Sequence, residues 1–173
     1  AQAQCCNKSC LKNIPKKDDL KPLRFQDGNW RLRHGVMRYM CLPGQLELKI
    51  QKIVEKCGCG AELWPDRDKY DVKITLPDGQ VWAIDAKTHR NPYMLKKSIE
   101  KDYVFTHTKA QKVFYVVPDD CLTDYPDYCK ICNDALASRF PDSIAKCVSM
   151  RIFSKELKGE VEDVKLRNYQ KKS

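Results

Sequence analysis

A chain of 173 residues with 42% apolar residues is long enough for one domain with its own core, and it holds no run of eighteen apolar residues that would cross a membrane as a helix. Lysine and arginine outnumber aspartate and glutamate by 32 to 23, a net charge of +9 that points to a polyanionic partner, nucleic acid before sugar or lipid. Ten cysteines stand at 5, 6, 10, 41, 57, 59, 121, 129, 132 and 147; disulfide scaffolds are usually shorter and poorer in helix and strand periodicity than this chain, so mostly free thiols in a reducing cytoplasm are expected.

The first residues, Ala1-Gln2-Ala3-Gln4-Cys5, lack the apolar stretch of a signal peptide. Residues 1–29 read as a basic arm or the remnant of a preceding module, with Cys6 and Cys10 closely spaced and lysines broken by Pro15 and Pro22. Trp30 to Met40 mixes apolar and basic residues and reads as a strand or a nucleic-acid-facing loop carrying Arg31, Arg33 and Arg38. Pro43-Gly44 opens a helix with Leu46, Ile50, Ile53, Val54 and Cys57 on one stripe, ended by Cys57-Gly58-Cys59-Gly60 with a left-handed glycine cap.

Ala61 to Pro65 is a short edge strand, and two more strands follow around the Pro77-Asp78-Gly79 turn. Asn91-Pro92 starts the next helix, with asparagine as N-cap and proline at its first position. Lys112 to Pro118 is a buried strand, Tyr125 to Phe140 a helix, Cys147 to Phe153 a last strand, and the charged tail from 154 to 173 is at most loosely helical. The order α-β-β-β-α-β-α-β implies an α/β fold, a mixed central sheet flanked by helices, over residues 30–153.

The chemistry concentrates in the two strands around the turn. Asp71 enters the first; Asp85 and Lys87 end the second and share a face, because side chains alternate along a strand. Two carboxylates and an ammonium at one sheet end suit a divalent metal and a phosphodiester: hard oxygen ligands hold Mg²⁺, and the metal with the lysine stabilises charge developing on phosphorus. A bare Asp-x-Lys also occurs by chance in basic proteins, as charges of an ordinary hairpin facing water.

Asp71, a spacer of thirteen residues and Asp85-Ala86-Lys87 resemble the signature of the PD-(D/E)xK nuclease superfamily, and the element order is similar to the restriction-endonuclease-like αβββαβ core. The helix before the hairpin often carries a further acid in that superfamily, a position matched by Glu47; its plainer role is an acid favoured near a helix N-terminus. Leu42-Pro43-Gly44-x-x-Glu47, Leu63-Trp64-Pro65-Asp66-x-Asp68-x-Tyr70-Asp71 and Val81-Trp82-Ala83-Ile84-Asp85-Ala86-Lys87 resemble the endonuclease-like proteins associated with prokaryotic PIWI-RE defence systems. That resemblance implies a DNA endonuclease using Mg²⁺ or Mn²⁺, with Asp71, Asp85, Lys87 and Glu47 catalytic, acting with a PIWI-type protein and a helicase against foreign DNA.

Other residues are candidates for supporting roles. Cys6, Cys10, Cys57 and Cys59 would satisfy tetrahedral zinc, or stand as incidental cysteines of a linker and a helix end. Cys129-x-x-Cys132, with Cys121 and Cys147, has the makings of a metal or cluster site, but lies on an apolar stripe where free cysteine behaves as a small buried hydrophobe. Lys96, Lys97 and Lys101 follow the catalytic strand and are candidates for phosphate contacts, with a solvated helix face as the alternative. His34, His89 and His107 stand apart from one another, and His89, two residues past Lys87, is either a phosphate contact or a surface residue. The rival function is a catalytically silent nucleic-acid-binding or assembly subunit that keeps the nuclease fold.

Overall fold

The computed structural model describes residues 44–65, 69–106 and 108–170. The first element, α1 (Gly44–Lys56), buries Leu46, Glu47, Ile50 and Val54 on one stripe. It ends at Gly58, whose φ of 78° is open to glycine without strain. There the amide of Cys59 donates to the Val54 carbonyl at 3.2 Å and that of Gly58 to Glu55 at 2.9 Å, the paired bonds of a Schellman cap.

Three antiparallel strands follow: β1 (Gly60–Leu63), β2 (Val72–Thr75) and β3 (Val81–Ala86). The chain then enters α2 (Pro92–Lys101), capped as its sequence requires: the Asn91 side chain accepts from the Tyr93 amide at 2.9 Å and Pro92 fills the first turn. Strand β4 (Lys112–Val117) lies parallel to β3. A short helix α3 (Cys121–Asp124) and α4 (Tyr128–Arg139) lead to β5 (Ala145–Ser149), parallel to β4, and α5 (Met150–Gln170) follows directly. The sheet order is β1-β2-β3-β4-β5. Among the described residues this is the mixed sheet flanked by helices that the element order implied.

Each face of the sheet carries a core. Val72, Ile74, Trp82, Ile84, Phe114 and Val116 face α1 and α5; Ala83, Val113, Tyr115, Val117 and Cys147 pack with Leu95 and Ile99 of α2 and with Tyr128, Cys132 and Leu136 of α4. Strands covered on both sides are apolar throughout, which is why Val113 to Val117 are all buried.

Three expectations need correction. The last strand stops at Ser149 rather than Phe153, because the Ser149 hydroxyl accepts from the Ile152 amide and starts a helix there. The fourth helix begins at Tyr128, not Tyr125, since Pro126 disfavours helical geometry in the residue before it. Most consequential, the stretch from 154 onward is not a loose tail. Phe153, Leu157, Val161 and Val164 recur at helical spacing and are buried in the same core as α1. Lys112 of β4 reinforces this docking, with its Nζ 2.8 Å from Glu160 and 3.4 Å from Glu156, while it lies 4.6 Å over the Trp82 ring. Residues 1–43 lie outside the described residues, and with them the arm at 1–29, the Trp30–Met40 segment, His34 and Cys41; so do Asp66, Asp68 and His107.

Truncating Leu157 to alanine should therefore destabilise the protein by about 2–5 kcal/mol, the usual cost of a core cavity. Chemical denaturation measures it; a loss below about 0.5 kcal/mol would mean that α5 is peripheral.

Candidate active site

Strand register brings the site together. Leu63 is paired with Val72 and Val72 with Ile84, and just beyond these pairs Trp64, Asp71 and Asp85 lie in a row at one end of the sheet. Main-chain bonds hold the row: the Trp64 amide donates to the Asp71 carbonyl at 2.8 Å, and the Asp71 amide to the Ile84 carbonyl at 3.0 Å. The Asp71 carboxylate accepts from the Ala86 amide at 2.6 Å, which fixes it against the last residue of β3. Lys87 is anchored in turn, its amide donating to Val116 of β4 at 2.9 Å.

Asp85 and Lys87 do share a face. Lys87 Nζ lies 2.7 Å from Asp85 Oδ2, with the carboxylate side chain 4% exposed and the lysine 24%. The contact is an ion pair without hydrogen-bond alignment, so Oδ2 remains a buried acceptor lacking an aligned donor. Burial raises the Asp85 pKa well above the ordinary carboxylate range; Lys87 opposes that shift, and the nearby Asp71 carboxylate adds to it. On the next strand Asp85 is paired with Tyr115, a buried tyrosine whose phenol is pushed up by burial and by the Asp85 charge.

Glu47 belongs to the same electrostatic neighbourhood. It is 6% exposed, and its Oε2 is buried without a hydrogen-bond partner among the described residues. Its pKa is raised to about 7, chiefly by desolvation and further by Asp71, with Lys87 pulling the other way. Glu47 on α1, Asp71, Asp85 and Lys87 thus form one group, three carboxyls against one ammonium. His89 sits close by. Burial, and then the Lys87 charge, lower its pKa; its Nδ1 is buried without a partner, and its carbonyl accepts from the Tyr128 hydroxyl at 2.6 Å.

A divalent cation fits this donor set. Buried oxygens without aligned donors, and carboxyls whose pKa values are raised by burial and further by a neighbouring acid, are what a cation would relieve. Among the described residues no three His, Cys, Asp or Glu side chains form a metal-holding cluster by themselves. Mg²⁺ does not require one, since it keeps several waters and takes one or two carboxylates; Asp71 and Asp85 are the pair placed to provide them.

The neighbouring cations are divided. Lys97 and Lys101 are exposed, one helical turn apart on α2, and Lys96 lies 3.9 Å from Glu100. Arg31, Arg33 and Arg38 lie outside the described residues, as do Cys6 and Cys10. Of their proposed zinc partners, Cys57 is half-buried at the helix end and Cys59 is packed in the core, where burial raises its thiol pKa. Around α4, Cys121, Cys132 and Cys147 are buried and Cys129 is half-buried, and the Cys121 thiol donates to the His89 carbonyl at 3.6 Å.

A family described as "REase associating with pPIWI_RE" matches residues 44–164, from the first residue of α1 to the last buried valine of α5. This chain belongs to that family. The restriction-endonuclease-like assignment therefore extends over both helical layers as well as the hairpin. No curated protein and no solved structure matches the chain. Within this endonuclease-like domain, sequence reasoning passed over two residues at the site and left a third open. Tyr115 was one apolar letter of a buried strand, and His89 stood between a phosphate contact and a surface position. Trp64 was part of a motif without a role; it is 51% exposed and has a φ of 50°, a left-handed conformation costing a non-glycine residue about 1–2 kcal/mol.

The Glu47 shift sets a pH dependence. A carboxyl at about 7 in the folded protein and near 4.5 when exposed favours folding most below the lower value, and that contribution is lost as pH rises through the upper one. In metal-free buffer Glu47→Gln should melt close to the parent near pH 4.5 and above it at pH 8. A melting-temperature difference that stays flat over this range would mean that the carboxyl is not desolvated.

Proposed function

We propose that this chain is a divalent-metal-dependent endonuclease that hydrolyses phosphodiester bonds of DNA, as the nuclease component of a prokaryotic defence system. The observation that carries the reading is the meeting of three groups at one sheet end: the Asp71 carboxylate held by the Ala86 amide at 2.6 Å, next in the chain to Asp85, and Lys87 ion-paired to Asp85 at 2.7 Å. Membership of a family described as associating with pPIWI_RE supports a PIWI-type protein as working partner. A helicase and a prokaryotic cytoplasm belong to the proposal without support from that description.

Asp71 and Asp85 would hold Mg²⁺ or Mn²⁺, which supplies Lewis-acid polarisation of a phosphoryl oxygen and eases deprotonation of water. The chain's own groups do the remainder. In hydrolysis a water oxygen bonds to phosphorus as the ester oxygen leaves, and negative charge builds on the phosphoryl oxygens. Lys87, held by its backbone bond to Val116 and by Asp85, presents a fixed ammonium to that charge. Glu47, with a pKa near neutrality, is suited to exchanging the proton given up by water. His89, kept neutral beside Lys87, adds no competing positive charge. Retention of Asp71, Asp85 and Lys87 together favours this reading over a silent subunit, which has no use for the set.

Plasmid nicking in Mg²⁺ or Mn²⁺ tests it. Asp71→Ala and Asp85→Ala should abolish cutting while the protein still melts cooperatively, and Lys87→Ala should slow it by about 10²–10³-fold. Cutting by all three variants at the parent rate would reject the assignment; tight DNA binding by a parent that never cuts would favour the silent subunit.

Lys97 and Lys101 should neutralise phosphates of the bound strand. Replacing both with alanine in Ca²⁺ should lower the slope of log affinity against log salt on duplex DNA by about 0.9 per lost contact. An unchanged slope would assign both to a solvated face.

A further inference from the structure

Among the large apolar side chains left exposed, Tyr93 and Met94 are as open to solvent as Trp64, yet they occupy ordinary helical backbone. Trp64 differs on two counts. It is the single non-glycine residue with positive φ among the described residues, and it stands opposite Asp71, tied to it by a 2.8 Å main-chain bond. A strained residue persists where the surroundings over-determine it, and such positions concentrate at functional sites. Here the strain sits where β1 ends, with an indole face turned half into solvent and one strand away from a proposed metal ligand.

We propose that Trp64 is a stacking platform for an unpaired nucleobase adjoining the scissile phosphate, which makes DNA with an unpaired nucleotide at the cut the preferred substrate over closed duplex. The inference rests on the nuclease reading and names its substrate class. A phosphate held at Asp71 and Asp85 would bring an adjoining base toward the end of β1, where Trp64 follows Leu63 and is bonded through its amide to the Asp71 carbonyl. An indole offers a face to any base, so this contact gives no sequence preference. A base inside a duplex already stacks on both neighbours and has no free face to offer; an unpaired or extruded base has one. The +9 charge supplies phosphate attraction to either form of DNA, and Trp64 supplies the discrimination between them.

Binding of the full chain in Ca²⁺ to oligonucleotides bearing 2-aminopurine tests this, with the probe base unpaired in one and closed in a duplex in the other. The parent should quench the unpaired probe. Trp64→Gly should lose that quenching and bind the unpaired strand about 5- to 150-fold more weakly, with little change on duplex. It should melt no lower than the parent, because glycine accepts a φ of 50° without strain. Trp64→Phe, which keeps a ring, should retain most of the quenching. Parent-like quenching and affinity in Trp64→Gly would overturn the proposal, as would an equal loss on both probes or a Phe variant no better than Gly. Each of those results leaves the nuclease reading intact if the parent still nicks plasmid in Mg²⁺; a parent that neither binds nor cuts DNA would overturn both.

Discussion

Negative charge buried with too little positive charge to balance it is the constraint around which this domain is arranged. Asp85 is nearly sealed from solvent at the end of β3, with Lys87 as its ion-pair partner and Asp71 and Glu47 adding charge of the same sign as its own. A buried ion pair yields little net stability even when well matched, because desolvation offsets the attraction. Adding two more carboxyls makes the arrangement unfavourable in isolation, and the raised pKa values of Asp85 and Glu47 register their burial beside it. Such a group persists in a fold when something outside the chain completes it, and a cation with a phosphodiester has the required charge and oxygen chemistry.

The surrounding architecture serves to keep that group rigid. Its strands lie between two apolar cores, and each acidic or basic side chain hangs from backbone that is itself hydrogen-bonded: Asp71 to Ile84 and Trp64, Lys87 to Val116. Charges fixed by backbone rather than by long flexible side chains keep their spacing as protonation changes. The helix α5 matters to this even though it brings no residue to the site, since Phe153, Leu157, Val161 and Val164 close the core beneath Trp82, Ile84 and Phe114.

What could be read from the sequence follows from how local each signal is. Asp71, Asp85 and Lys87 were legible because one hairpin with a recognisable turn places them together. The Asn91-Pro92 start and the Gly58 cap were legible for the same reason, each being settled within a single helix turn. The helix α5 escaped notice because eight charged side chains between Lys155 and Arg167 masked four apolar ones, although the spacing of Phe153, Leu157, Val161 and Val164 was there to be counted. Burial of Glu47 and the left-handed turn at Trp64 had no local signal. They arise only when α1, β2 and β1 meet across long stretches of chain.

The mixed sheet also divides the domain by chain entropy. Only the five residues Leu76–Gln80 link β2 to β3, whereas twenty-five, 87–111, separate β3 from β4. By the logarithmic dependence of loop closure on length, the second closure is costlier by about 1 kcal/mol before the order within α2 is counted. The two aspartates are therefore joined by the shorter of the closures, and their alignment does not depend on the parallel half. Lys87 belongs to the longer one, through Val116. A partial opening that frees β4 would release the ammonium while leaving both acids in register, a native-state fluctuation that separates charge neutralisation from metal affinity.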